Sequence, residues 1–264
     1  MTLVVKIGGA AGNRAEPLLD ELAERRDCVL VHGGSAEVDR LERALGRAPE
    51  YYTSPSGVVS RRTDAAHLEV LVLALAGAVQ TDLVSRLAQR KVRAIGLSGV
   101  DAGLVRARKK EGVRARVGAR VVRLPDDRSG SVEGVDGRIL RVLLAESLLP
   151  VVGPPAVAED GRILNVDADR VAAAVAVELR AEALVLLTNV PGLLRSVDDA
   201  TSLIPHVARS EIDGLLPVAA GRMRKKVLAA RDALDGGVPR VAIAFAGEIR
   251  PVAQALAGKG TVFE

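Results

Sequence analysis

The chain has 264 residues, 48% of them hydrophobic, which is enough to bury a large core in one domain or two. Charged residues make up 27%, an ordinary share for a globular protein, so the composition excludes disorder of the whole chain. A net charge of +4 suits acidic small molecules or an acidic partner, whereas 2% aromatics leave little with which to stack on single-stranded nucleic acid.

The first expected element is a strand over residues 3–7, with no basic segment and apolar stretch of the secretory kind before it, so a cytoplasmic location is expected. Short runs rich in Val, Ile and Leu predict further strands over 28–31, 92–97, 149–152, 183–187 and 238–245. Helical spacing predicts helices over 17–26, over 36–45 with Gly46 as the stop, from 64 onward with Thr63 as the cap, over 167–180 and over 223–234. Strands alternating with helices imply an α/β fold, a largely parallel sheet covered on both faces. The stretch 99–136 is rich in Gly and Arg and is expected to form hairpins and loops that project from the sheet. No apolar run reaches the ~18–20 residues of a membrane span. The longest, 68–79, has polar flanks and reads as a buried helix. The single cysteine, Cys28, rules out an intrachain disulfide and reads as an inert buried thiol. His32, His67 and His206 show no ligand spacing, so no protein-built metal site is expected.

In open parallel sheets ligands sit beyond the carboxyl ends of the strands. The first strand leads into Lys6-Ile7-Gly8-Gly9 and the second into His32-Gly33-Gly34-Ser35. Paired glycines let backbone amides approach an anion, and a following helix N-terminus favours negative charge. Either pair alone reads as a tight strand-to-helix turn. Two such turns in adjacent units, one carrying a lysine, make an anion site an equal alternative. Gly8 to Gly12 faintly resembles a dinucleotide fingerprint, but the acidic residue expected after the second strand is replaced by Gly33 and Gly34. Gly258-Lys259-Gly260-Thr261 resembles the end of a phosphate-binding loop but has no following helix. Three more segments stand at expected element ends: Asn165-Val166-Asp167-Ala168-Asp169, Thr188-Asn189-Val190-Pro191-Gly192, and Gly221-Arg222-Met223-Arg224-Lys225-Lys226. Singly these read as a helix cap, a turn and a solvated basic face.

Taken in order, the five segments resemble the amino acid kinase family, most closely its acetylglutamate kinase branch, over nearly the whole chain. The resemblance implies a three-layer α/β/α sandwich with a mainly parallel central sheet, assembled as a homodimer. It implies an acyl-substrate-binding and dimerisation lobe over 1–165 and an ATP-binding lobe over 166–264. ATP would be the donor, with Mg²⁺ bound mainly through phosphate oxygens. By position, the resemblance makes Lys6 and Lys226 catalytic, with Asp169 orienting both. Gly33, Gly34, Arg61 and Asn165 would bind the substrate, and Gly8, Gly9, Thr188, Asn189 and Gly192 the nucleotide. Asn189 stands where aspartate is common in the family. A carboxylate acceptor, with a reference pKa near ~4, is already ionised and needs no general base, so the absence of a catalytic histidine is no objection. Catalysis is then positioning and charge neutralisation.

The run from Tyr51 to Asp64 departs from ordinary acetylglutamate kinases, and with Ser35 it resembles the lysine-biosynthesis branch, which acts on aminoadipate attached to a small acidic amino-group carrier protein. Such a protein would phosphorylate the 6-carboxylate, with carrier-linked glutamate as a second substrate. Arg106, Arg108, Lys109, Lys110, Arg114, Arg116, Arg120 and Arg123, set against Glu111 alone, form a basic stretch. Most such stretches are solvated surface. Next to a kinase with an acidic carrier, this one is expected to dock it, in a salt-sensitive way. The segment 126–130 also resembles that branch, with no chemistry assigned. The alternatives are free N-acetylglutamate as substrate, in arginine synthesis, a non-catalytic binding module on this fold, or an RNA-binding protein. Lys6, Asp169 and Lys226 speak against the module, and the scarcity of aromatics against RNA. The chain also starts without the helix that arginine-inhibited hexameric acetylglutamate kinases carry before their first strand, so a dimer without that feedback is expected.

Overall fold

Five consecutive buried residues, Leu3–Ile7, form β1, the strand about which the fold is organised. The computed structural model describes residues 2–264 except 11, 26, 56, 119, 197, 200 and 220. In chain order β1 is followed by α1 (Glu16–Leu22), β2 (Cys28–His32), α2 (Ser35–Ala44), β3 (Tyr51–Thr53), β4 (Val59–Arg61) and a long α3 (Ala65–Gln89). Then come β5 (Ala94–Gly99), β6 (Val105–Lys109), β7 (Arg114–Val117), β8 (Arg120–Arg123), β9 (Gly130–Val135), α4 (Arg138–Ala145), β10 (Leu149–Val157) and β11 (Ile163–Leu164). The rest is α5 (Ala168–Glu178), β12 (Ala183–Thr188), β13 (His206–Val207), α6 (Ile212–Leu215), α7 (Gly221–Asp235), β14 (Val241–Phe245), α8 (Pro251–Leu256) and β15 (Thr261–Phe263).

The main sheet runs β13-β15-β14-β12-β1-β2-β10-β6-β9, with β5 and β11 also paired to β10. Its centre is parallel: Leu3 is in register with Cys28 on β2 and with Ala183 on β12. Antiparallel pairing is confined to β6–β9, β10–β11 and β14–β15 within this sheet, among the described residues. Side chains alternate across a strand. Leu3, Val5 and Ile7 therefore join a core with Leu18 and Leu22 of α1, Leu83 and Leu87 of α3, and Val252 of α8. Val4 faces the opposite core with Val171 and Val175 of α5 and Val227 and Ala230 of α7. The result is the expected three-layer α/β/α sandwich. The same alternation turns Lys6 toward the layer built by α5 and α7. That layer is tight because small residues line it: a Cβ on Gly236 would stand 2.3 Å from Val177.

Several details differ from the sequence reading. The helix after residue 63 is capped by Asp64, whose carboxylate accepts from the His67 amide at 2.9 Å, and not by Thr63. α3 is continuous and, by length and composition, is apolar enough to cross a membrane, contrary to the expectation that no run reaches that length. Its Leu68, Leu71 and Leu75 pack with Val38 of α2, as in a core helix. The expected end of α1 at residue 26 lies outside the described residues, and the helix stops at Leu22. The region 99–136 does form hairpins, but β6 and β9 extend the main sheet, while β7–β8 is a separate ribbon. α4, α8 and β15 were not anticipated. Buried Glu21 holds α8 in place by accepting from the Val252 and Ala253 amides at 2.7 and 2.9 Å, a charged bond at a helix N-terminus.

Candidate active site

β1 and β2 end side by side, and their glycine turns interlock. A Cβ on Gly9 would lie 2.0 Å from the Gly34 nitrogen, so the backbones meet where no side chain fits. The Gly9 carbonyl accepts from the Ala36 amide at 2.8 Å and from Ser35 Oγ at 3.1 Å. The amides of Gly8 and Gly33 are spent on Leu187 and Ile7 carbonyls, both at 3.1 Å. Those of Gly9 and Gly34 have no acceptor among the described residues, so they are the two donors left for an anion.

Across from these turns, Asp167 caps α5 by accepting from the Asp169 and Arg170 amides at 3.0 and 3.3 Å. The cap sets Asp169 in the first turn. Its Oδ1 lies 2.6 Å from Lys6 Nζ, and its two oxygens lie 3.1 and 2.9 Å from Lys226 Nζ. All three side chains are buried. Burial alone would raise the Asp169 pKa, but Lys226 and Lys6 override it and hold the carboxylate well below its ordinary range. Burial lowers the Lys6 pKa, opposed by Asp169. Two ammonium groups on one carboxylate leave one unit of positive charge beneath the glycine turns.

The acyl side is built by long-range polar contacts. Arg61 donates to Glu42 at 2.8 Å, to the Tyr51 hydroxyl at 2.6 Å, to the Ser35 carbonyl at 3.1 Å and to Asp39 at 2.5 Å. Its guanidinium lies 4.8 Å from the Tyr51 ring centroid. Glu42 is fully buried, which raises its pKa against the pull of Arg61. Asn165 donates to Thr63 Oγ1 at 2.8 Å, and buried Asp127 clips the neighbouring segments by accepting from the Thr63 and Ser129 amides at 3.2 and 2.8 Å. Asp127 thus gives segment 126–130 a positioning role that sequence alone did not supply. Asp39, Glu42 and Asp127 escaped sequence reasoning. Asp127 did lie in a segment singled out there.

Every residue expected to be catalytic, substrate-binding or nucleotide-binding lines one cavity of about 450 Å³. On its far side Thr188 ends β12, and Gly192 packs so closely that a Cβ would stand 2.7 Å from Thr261 Oγ1. Of the basic stretch only Lys110 reaches this cavity. Arg108, Lys109, Lys110 and Arg114 line an adjoining groove of about 1640 Å³, whereas Arg106 and Arg116 line neither.

A cleft of this size over a buried Lys–Asp–Lys set, at the carboxyl ends of parallel strands, has the form of a small-molecule phosphotransferase site. The chain belongs to the amino acid kinase family, whose sequence profile matches residues 1–244. It is 44% identical to the "[LysW]-aminoadipate kinase" of Deinococcus radiodurans over 98% of this chain and 90% of that protein. It is 37% identical to the "Acetylglutamate kinase" of Methanopyrus kandleri over 89% of this chain and 91% of that protein. The structure of a Giardia carbamate kinase shares the fold, with a TM-score of 0.66 at 16% identity, covering 99% of this chain and 98% of that one. The protein is therefore a kinase that transfers a phosphoryl group to a carboxyl group, and ATP is the donor its family implies.

Proposed function

We propose that this kinase phosphorylates the 6-carboxylate of 2-aminoadipate whose amine is held on a small acidic carrier protein, producing an acyl phosphate for later reduction. One observation carries the carrier: the cavity adjoins a groove lined by Arg108, Lys109, Lys110 and Arg114, and the two share Ser60, Lys110, Gly130, Asp167 and Lys225. A substrate tethered to a macromolecule needs a site that opens onto such a surface. The similarity to the Deinococcus radiodurans protein supports the same reading. Carrier-linked glutamate is a second substrate.

In this reading Lys6 and Lys226 flank the phosphoryl group in flight, and Asp169 holds both ammonium groups toward it. Gly9 and Gly34 donate their amides to its oxygens. Gly8, Thr188, Asn189 and Gly192 form the wall beside the nucleotide. Asn165, Gly33 and Arg61 shape the acyl side. The nucleophile is an ionised carboxylate, so no residue has to remove a proton. The chief barrier is anion–anion repulsion, which lysines and amides offset. No three Asp, Glu, His or Cys side chains cluster to hold a metal among the described residues. Mg²⁺ would be held mainly by the phosphate oxygens of ATP, where it would neutralise further charge.

The half up to residue 165 serves as the acyl lobe and the remainder as the ATP lobe. Homodimerisation uses the face of α3 that exposes Leu73, 60% accessible, with Gly77 and Ala78. The acetylglutamate kinase relative supports a second reading, free N-acetylglutamate as acceptor. Hydroxylamine trapping of the acyl phosphate separates the two. Turnover on carrier-linked aminoadipate that falls with salt is the expected result, and turnover confined to free N-acetylglutamate would replace the carrier reading with the second.

A further inference from the structure

Six cations line the cavity. Lys6 and Lys226 share Asp169, and Lys225 lies 3.3 Å from Asp167. Arg61 is set on the acyl side by Asp39 and Glu42. Lys110 stands where the cavity meets the groove, with Asp167 and Asp127 among the charges facing it. The sixth is Arg222. It has no hydrogen-bond or carboxylate partner among the described residues, and it lines the cavity but not the groove. A role in docking a partner along the groove is therefore not open to it.

The start of α7 explains where Arg222 stands. It comes four residues before Lys226, so the two side chains share one face of the helix, a turn apart. Helical side chains tilt toward the N-terminus, which carries the guanidinium beyond the ammonium of Lys226. From there its charge acts on the Tyr51 hydroxyl of β3, on the acyl side of the cavity. Arg222 thus spans from the helix that supplies Lys226 to the hairpin that borders the acceptor. The helix end is also heavily loaded. Arg222, Arg224, Lys225 and Lys226 fall within its first six residues, and its first turn holds no acidic residue. A helix N-terminus disfavours cations, so this loading costs the unliganded chain stability. A polyanion lying against the helix end would offset that cost.

We propose that Arg222 binds the terminal phosphate of the nucleotide donor on the side that faces the acyl acceptor, as a third cation beside Lys6 and Lys226. This rests on the proposed placing of the phosphoryl group between those two lysines, whose failure would show separately as normal turnover in Lys6→Met and Lys226→Met. The test is calorimetric titration of the full chain with ATP and with ADP, each with Mg²⁺. No acyl substrate is present, so the comparison is the same for either acceptor. Arg222→Met should weaken ATP binding by about 10–100-fold, the range of one charged hydrogen bond, and leave ADP binding unchanged. Arg222→Lys should recover part of the loss. Arg224 is a cation on the same helix end that does not line the cavity, and Arg224→Met should bind both nucleotides as wild type does. Without nucleotide, Arg222→Met should unfold at the temperature of wild type or above it, because a cation has left the positive end of the helix. Equal losses for ATP and ADP, an unchanged ATP affinity, or an equal effect of Arg224→Met would each overturn the assignment.

Discussion

The imidazole of His32 occupies the volume that a side chain on Gly153 would need: a Cβ there would stand 2.3 Å from Nε2. His32 closes β2, directly before the Gly33–Gly34 turn, and β10 carries Gly153 beneath it. From α3 the Gln80 carboxamide meets Nε2 at 3.3 Å, and a Cβ on Gly96 would lie 2.7 Å from Gln80. Oriented to suit Leu97, that carboxamide bonds both its N–H and its C=O, at 3.0 and 3.1 Å. Glycines in adjacent strands thus make room for two buried polar side chains that steady the turn behind the anion site.

Gly153→Ala should therefore displace the ring. The expected loss is about 1–3 kcal/mol, the usual cost of overpacking a filled interior, read from urea unfolding. Turnover should fall as well, because the turn shifts with His32. His32→Ala added to Gly153→Ala should recover part of the stability. An unchanged unfolding midpoint in Gly153→Ala would show that the ring has somewhere else to go.

Lys6→Met and Lys226→Met should each cut turnover by roughly 10²–10³-fold, the scale for losing one preorganised charge-stabilising donor. Each variant keeps the other lysine on Asp169, so the circular dichroism spectrum should match wild type. Near-normal hydroxamate formation in both would sink the proposed mechanism.

The depressed pKa of Asp169 has a signed consequence for acid stability. Its folded pKa lies below the unfolded value of about 4, so its contribution is complete above that pH and is lost as pH falls through the folded pKa. Below about pH 4 the unfolding free energy of wild type should therefore drop more steeply than that of Asp169→Asn. Parallel curves for the two proteins would count against an ionised Asp169.

Arg61→Met separates two roles. If Arg61 only held substrate, stability would stay put. With Glu42 buried and paired to it, its removal leaves an uncompensated charge, a loss of about 3–5 kcal/mol. Glu42→Gln in the same chain should return much of that stability without restoring KM for the acyl substrate.

The central strands were legible because buried parallel strands write continuous apolar runs, as in Val29, Leu30 and Val31. β10 was cut short in the sequence reading because Pro154 and Pro155 speak against a strand. β13 and β15 were missed since two or three residues carry no period. In the site, Lys6, Asp169 and Lys226 could be picked out only as members of an ordered set of motifs. The partners of Arg61 could not. Glu42 lies 19 residues away on a helix whose polar positions read as solvent-facing, and only the packing of β4 against α2 makes it a buried counter-ion.

β1 lies between β2 and β12, one strand from each half of the chain. A protein cut near residue 165 would therefore divide a single sheet through its middle. The first fragment would keep β1 with a bare edge where β12 belongs. The second would hold β12 and β14 with no strand at the position of β1. Neither piece would be a freestanding module, and Lys6 would part from both Asp169 and Lys226. A split version of this kinase should regain activity only when its fragments refold together, which makes it suited to complementation and poorly suited to lobe exchange with distant relatives.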